Sequence, residues 1–200
     1  MDDEDGRVLV VANRLPMTIA VQDDGTFNYQ VSSGGLASCL HGLRKKMSFL
    51  WFGWPGIDVH RSDRDTIRQE VAERYKAVPV FLSKETANDY YTGFCNQVLS
   101  PSLHDMPREV NEIFADYIVP HVENGDLIWI LDYHLLLLPG TSANDFKKGG
   151  SFELGSFYTP RFRERTLFPS CHFAKSCDFV GLHIKEYADA LIGRCQAVLE

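Results

Sequence analysis

Residues 7–12 read RVLVVA, a run of branched apolar residues with Asn13, Arg14 and Pro16 directly after it. A strand with one wet face alternates apolar and polar side chains, and this run does not alternate. It predicts a strand buried on both faces, the place of a central strand in a parallel sheet. Apolar runs at 49–54, 78–82, 126–131 and 177–182 are four more strands of the same kind. Between them lie amphipathic stretches. Asp63–Tyr75 reads as a charged helix, and Pro107–Val122 carries Val110, Ile113, Phe114 and Tyr117 at helical spacing. Strands alternating with helices imply βαβ units, so the expected fold class is α/β with a doubly wound, mostly parallel sheet.

Smaller signals fill in the connections. Asp23, Asp24 and Gly25 mark a hairpin turn inside Pro16–Ser33. Ser32, Ser33, Gly34 and Gly35 precede a helical pattern through Leu36, Leu40 and Leu43. Ser83, with Thr86 three residues on, is placed to cap a helix. Leu135–Leu138 begins a helix that Pro139 and Gly140 cut short, residues 140–156 read as a polar, Gly-rich loop, and 184–199 as a closing helix.

Composition narrows the function. With 44% hydrophobic and 24% charged residues the chain is globular rather than disordered. A formal net charge of −7 argues against nucleic acid, whose phosphates call for a basic face. Small phosphorylated ligands need only a few local cations, so they stay open. Five cysteines, odd in number and irregularly spaced, give no disulfide framework and point to a reducing, cytoplasmic setting. The acidic start, MDDEDG, is not a secretory signal, and the apolar stretch near Leu127–Leu138 is too short and too polar to span a membrane.

In a doubly wound sheet ligands bind beyond the carboxyl ends of the strands, and three places fit. Arg14, directly after the first strand, offers a planar fork to a phosphate or stands as a solvated loop arginine. Gly34 and Gly35 let backbone N–H groups approach an anion at a helix start, or serve the turn alone. Asp132, after the 126–131 strand, binds sugar hydroxyls, acts as a base, or is structural. The cluster Trp51-Phe52-Gly53-Trp54 is a sugar platform or, as such clusters more often are, core packing, with at least one tryptophan in the core. Cys171, His172, Cys177 and His183 match no common zinc spacing, and no metal or other cofactor is expected.

Taken in order, RVLVVANRLP, SSGGLASCLHGL, FLWFGWPG, VPVFLS, YTGFCN, GDLIWILDYHLLLLP and CDFVGLHIKEYADALIGRC resemble the trehalose-6-phosphate synthases, glycosyltransferase family 20. The resemblance implies the Rossmann-like N-terminal domain of a GT-B glycosyltransferase. It implies metal-free transfer of glucose from UDP-glucose to glucose 6-phosphate with retained configuration. By motif match Arg14 contacts the acceptor phosphate, Trp54, Tyr91 and Asp132 line the acceptor sugar pocket, and Gly34 and Gly35 approach the donor.

Departures from the family pattern accompany the match. Ser100 stands where a Trp is expected and Asp105 where a Tyr is expected; Leu131 replaces a His. Tyr158, in SFYTPRF, occupies the position of a His close to the transferred glucose, so no catalytic residue is assigned. Residues 1–200 are expected to form a single acceptor-side domain without the donor-binding one. The expectation is a synthase-like chain that is inactive alone and meets UDP-glucose only if a second domain is supplied. The alternatives are a glucose 6-phosphate-binding or regulatory subunit docking onto full-length synthase complexes, or a decayed paralogue.

Overall fold

The computed structural model describes residues 7–32, 48–88, 90, 106–131, 135, 137–140, 153–158, 177–182, 185, 188–189 and 192–193. The strands are β1 (Val8–Arg14), β2 (Met17–Val21), β3 (Phe27–Val31), β4 (Phe49–Trp54), β5 (Ala77–Pro79), β6 (Leu127–Leu131), β7 (Glu153–Tyr158) and β8 (Phe179–Leu182). The α-helices are α1 (Arg64–Tyr75), α2 (Lys84–Asn88) and α3 (Met106–Ile118).

Six strands form one sheet in the order β5-β4-β1-β6-β7-β8, with every neighbouring pair parallel. β1 is central, as its valine run requires. Val8 to Val11 are at most 4% exposed, and successive side chains enter opposite cores. Leu9 and Val11 join Phe52, Ile128 and Ile130 on one face, where Val110, Phe114 and Ile118 of α3 cover them. Val8 and Val10 join Trp51 and Ala77 on the other, beneath Ile67 and Val71 of α1. A sheet covered on both faces is the doubly wound arrangement the runs predict. The hairpin β2–β3 is a separate two-stranded antiparallel sheet whose Met17 and Ile19 close the second core. Its turn falls at Asp23–Gly25, where Gly25 has φ +81° and Asp24 accepts the Thr26 N–H at 2.9 Å.

The ends of the helices follow their local chemistry. Ser83 Oγ accepts the Thr86 N–H at 3.0 Å, so Ser83 does cap α2. Helix α1 ends at Lys76, which takes a left-handed φ of 52° and returns its N–H to Ala72 O. At the amino ends of β1 and β6, Asp126 ties the strands together. It accepts Arg7 Nη2 at 2.9 Å, Arg7 Nε at 3.2 Å, the Arg7 backbone N–H at 3.1 Å and the Glu123 N–H at 2.8 Å.

Two expectations need correction. The third predicted strand, 78–82, is β5 at Ala77–Pro79. Proline has no N–H for a ladder, and β5 stands at the end of the sheet, where proline is tolerated. Val80 still donates to Gly53 O at 2.9 Å, while Phe81 and Leu82 turn into the core. The loop expected over 140–156 gives way to β7 from Glu153, paired with β6 on one side and β8 on the other. The sheet is therefore continuous from β6 to β8, with no strand missing between them. Residues 141–152, the 36–46 helix and most of 184–199 lie outside the described residues. Among the described residues no helix is long and apolar enough to cross a membrane.

Candidate functional site

Chain order and sheet order part company at one place. From β1 the chain goes to β4 and β5 on one side, and β6 to β8 build the other. In such sheets the carboxyl ends of the two strands flanking this reversal splay apart and leave a crevice for a ligand. Here those strands are β1 and β6. β1 ends on Asn13 and Arg14, and β6 ends on Leu131, next to Asp132.

The end of β1 is irregular. Its register against β4 runs evenly from Val8 opposite Phe49 to Val11 opposite Phe52, then shifts so that Arg14 stands opposite Trp54. Such a bulge re-aims the side chain that follows it. Two bonds fix the shifted backbone. Leu15 N donates to Trp54 O at 3.0 Å, and Trp51 Nε1 donates to Arg14 O at 3.1 Å. Trp51, 3% exposed, and Trp54, 8% exposed, both belong to the core, one on each face of the sheet.

With its backbone pinned, Arg14 extends over β4. Its Cζ lies 4.6 Å from the centroid of the Trp54 ring, within cation–π range. Gly56 is the other close neighbour of the guanidinium. Among the described residues the guanidinium makes no hydrogen bond and no ion pair. Arg7, Arg68, Arg74 and Arg108 each have a carboxylate within 3.1 Å. A cation held over an aromatic face at the carboxyl end of β1, with its forked donors unspent on any described residue, is suited to a planar or tetrahedral oxyanion. Beside it Asn13 is 9% exposed. Trp54 Nε1 is buried with no hydrogen-bond partner among the described residues. Buried polar groups are normally satisfied, so an unmet donor beside Arg14 leaves a polar contact to be made.

The structure therefore brings together two of the six residues the sequence singles out, Arg14 and Trp54. Gly34, Gly35, Tyr91 and Asp132 lie outside the described residues. Sequence reasoning missed Asn13 as a buried amide and Gly56 as a neighbour of Arg14. The unbroken burial of β1, which runs on to Asn13, could have flagged it; nothing local could have flagged Gly56. Of the cysteines and histidines considered for metal, only Cys177 is described. Burial, with the charge of neighbouring Asp178, pushes its thiol up to about 12, so it stays protonated and is a poor ligand near neutral pH.

An all-parallel doubly wound sheet whose strand order reverses between β1 and β6 is a Rossmann-like domain of the kind that builds GT-B glycosyltransferases. The chain belongs to glycosyltransferase family 20, whose sequence pattern it matches over residues 6–200. It is 36% identical over 226 aligned positions to the alpha,alpha-trehalose-phosphate synthase (UDP-forming) of Schizosaccharomyces pombe, an alignment covering 96% of this chain and 42% of that protein. Among solved structures it is similar to an E. coli protein bound with UDP-2-fluoro glucose. The TM-score there is 0.70 at 24% identity, over 97% of this chain and 43% of the other. It is also similar to the alpha,alpha-trehalose-phosphate synthase (UDP-forming) of Burkholderia xenovorans in complex with glucose-6-phosphate. That TM-score is 0.63 at 22% identity, over 93% and 43% of the two chains. The chain thus spans less than half the length of the relatives it matches.

Proposed function

We propose that residues 1–200 are the acceptor side of a trehalose-6-phosphate synthase and bind glucose 6-phosphate at the carboxyl ends of β1 and β6. The observation that supports this most is the Arg14 guanidinium over Trp54, without a hydrogen bond or ion pair among the described residues, at the carboxyl end of β1, where a doubly wound sheet receives its ligand. In this reading Arg14 takes the phosphate, Trp54 backs it, and Tyr91 and Asp132 contact the sugar hydroxyls. Gly34 and Gly35 offer backbone N–H groups to the donor, UDP-glucose. Transfer of glucose from that donor belongs to the full length of the family's proteins, of which this chain matches less than half. A cytoplasmic setting, where both substrates are at hand, fits the cysteine pattern.

Calorimetric titration with glucose 6-phosphate tests the reading. The chain is expected to bind, and Arg14→Ala to weaken binding about 100-fold, the scale of a lost charge-assisted, bidentate contact. Thermal stability should change little, because Arg14 bonds no other described side chain. Equal affinity in the two proteins would remove Arg14 from the site.

A further inference from the structure

Gly25 and Gly56 share a positive φ and differ in what surrounds them. Gly25, in the hairpin turn, has φ +81°, and a Cβ added there would meet nothing within 4 Å. Gly56, two residues after β4, has φ +86°. A Cβ added at Gly56 would stand 2.5 Å from Arg14 Nη1, 3.5 Å from Cζ and 4.0 Å from Cδ. A left-handed φ is costly to any side chain, and that cost is alike at the two sites. The encounter with the guanidinium is peculiar to Gly56.

From this difference we infer that Gly56 is a positioning residue, which sets where the Arg14 guanidinium lies by leaving room for it. The inference rests on the reading of Arg14 as the phosphate anchor. A Cβ at position 56 occupies the place of Nη1, and something has to yield. The atom it meets is the far end of a flexible side chain, so the guanidinium moves and the backbone stays. Moving it takes the fork away from the Trp54 ring, 4.6 Å from Cζ, and out of alignment with an oxyanion in the crevice. The defect therefore falls on binding beyond any loss of stability that φ alone imposes.

The test is calorimetric titration of the 200-residue chain with glucose 6-phosphate, beside thermal melts of each variant. Gly56→Ala and Gly25→Ala are expected to lower the melting temperature to a similar degree. Gly25→Ala should keep wild-type affinity, whereas Gly56→Ala should bind about tenfold more weakly, the scale of one misplaced hydrogen bond to a charged group. Gly56→Asn carries the same Cβ on a residue that tolerates positive φ, and supplies the comparison if the alanine variant fails to fold. Because Gly56 acts through Arg14, the pair Gly56→Ala/Arg14→Ala should bind no more weakly than Arg14→Ala alone.

Wild-type affinity in folded Gly56→Ala or Gly56→Asn, with Arg14→Ala still weakened, would overturn the role of Gly56 and leave the phosphate anchor standing. A double variant weaker than Arg14→Ala alone would do the same, since Gly56 would then act by another route. An Arg14→Ala chain that binds as wild type, or a wild type that does not bind, would remove the anchor and this inference with it.

Discussion

Gly53→Ala is expected to destabilise the chain by about 3 kcal/mol, read as a lower midpoint in urea denaturation. Gly53 lies in β4 where β1 bulges towards it. A Cβ there would be 2.5 Å from Arg14 C, 2.5 Å from Leu15 N and 2.6 Å from Arg14 O. All three are backbone atoms, so no rotamer change relieves the contact. The strands would have to part where Leu15 N meets Trp54 O and Trp51 Nε1 meets Arg14 O. Those same bonds hold the bulge that aims Arg14, so a folded residue of the variant should also bind glucose 6-phosphate poorly. A Gly53→Ala chain as stable as wild type would mean that β1 and β4 do not approach this closely.

Asp126→Ala is expected to cost about 3 kcal/mol, the lower part of the range for breaking a buried ion pair. The Asp126 side chain is 2% exposed and accepts from both the side chain and the backbone of Arg7 and from the Glu123 N–H. Its loss strands those two backbone donors where β1 and β6 begin. Arg7 is less exposed to the loss, since it is 32% exposed itself and keeps Glu123 at 3.1 Å. The same carboxylate gives the chain an acid limb. Burial works to raise its pKa, but the Arg7 hydrogen bonds and the Glu123 N–H outweigh it, and the pKa is lowered. The folded chain then takes up the proton less readily than the unfolded chain. Its contribution is complete above about pH 4, the ordinary carboxylate range, and is lost as pH falls through the lowered value. Asp126→Asn should flatten that limb in denaturation midpoints taken from neutral pH to pH 3. An unchanged limb would show that Asp126 does not carry the proton linkage.

Much of this fold is legible in the sequence because central strands have a signature that survives any tertiary context. VLVVA and LIWIL are apolar at both parities; β1 proves buried on both faces, and β6 is buried on one face and partly buried on the other. The Asp23–Gly25 turn and the Ser83 cap were equally plain, since each is a local bond between near neighbours. β7 was not legible. ELGSFY has a glycine, a serine and no β-branched residue, and it becomes a strand because β6 and β8 offer it two paired edges. β5 was legible in place but not in extent, because Pro79 ends the ladder inside an apolar run. The candidate site divides in the same way. Position after β1 picks out Arg14, and the family resemblance picks out Trp54. Their stacking and the room left by Gly56 depend on the bulge between Val11 and Arg14, a register shift that no local pattern announces.

The central claim is that the crevice between β1 and β6 receives a sugar phosphate with its phosphate on Arg14. A crystal structure of the chain grown with glucose 6-phosphate measures this directly. The account predicts phosphate oxygens within about 3 Å of the Arg14 guanidinium nitrogens, with the sugar lying across the carboxyl ends of β1 and β6. A phosphate bound away from Arg14, with the guanidinium still stacked on Trp54 and unoccupied, would contradict it.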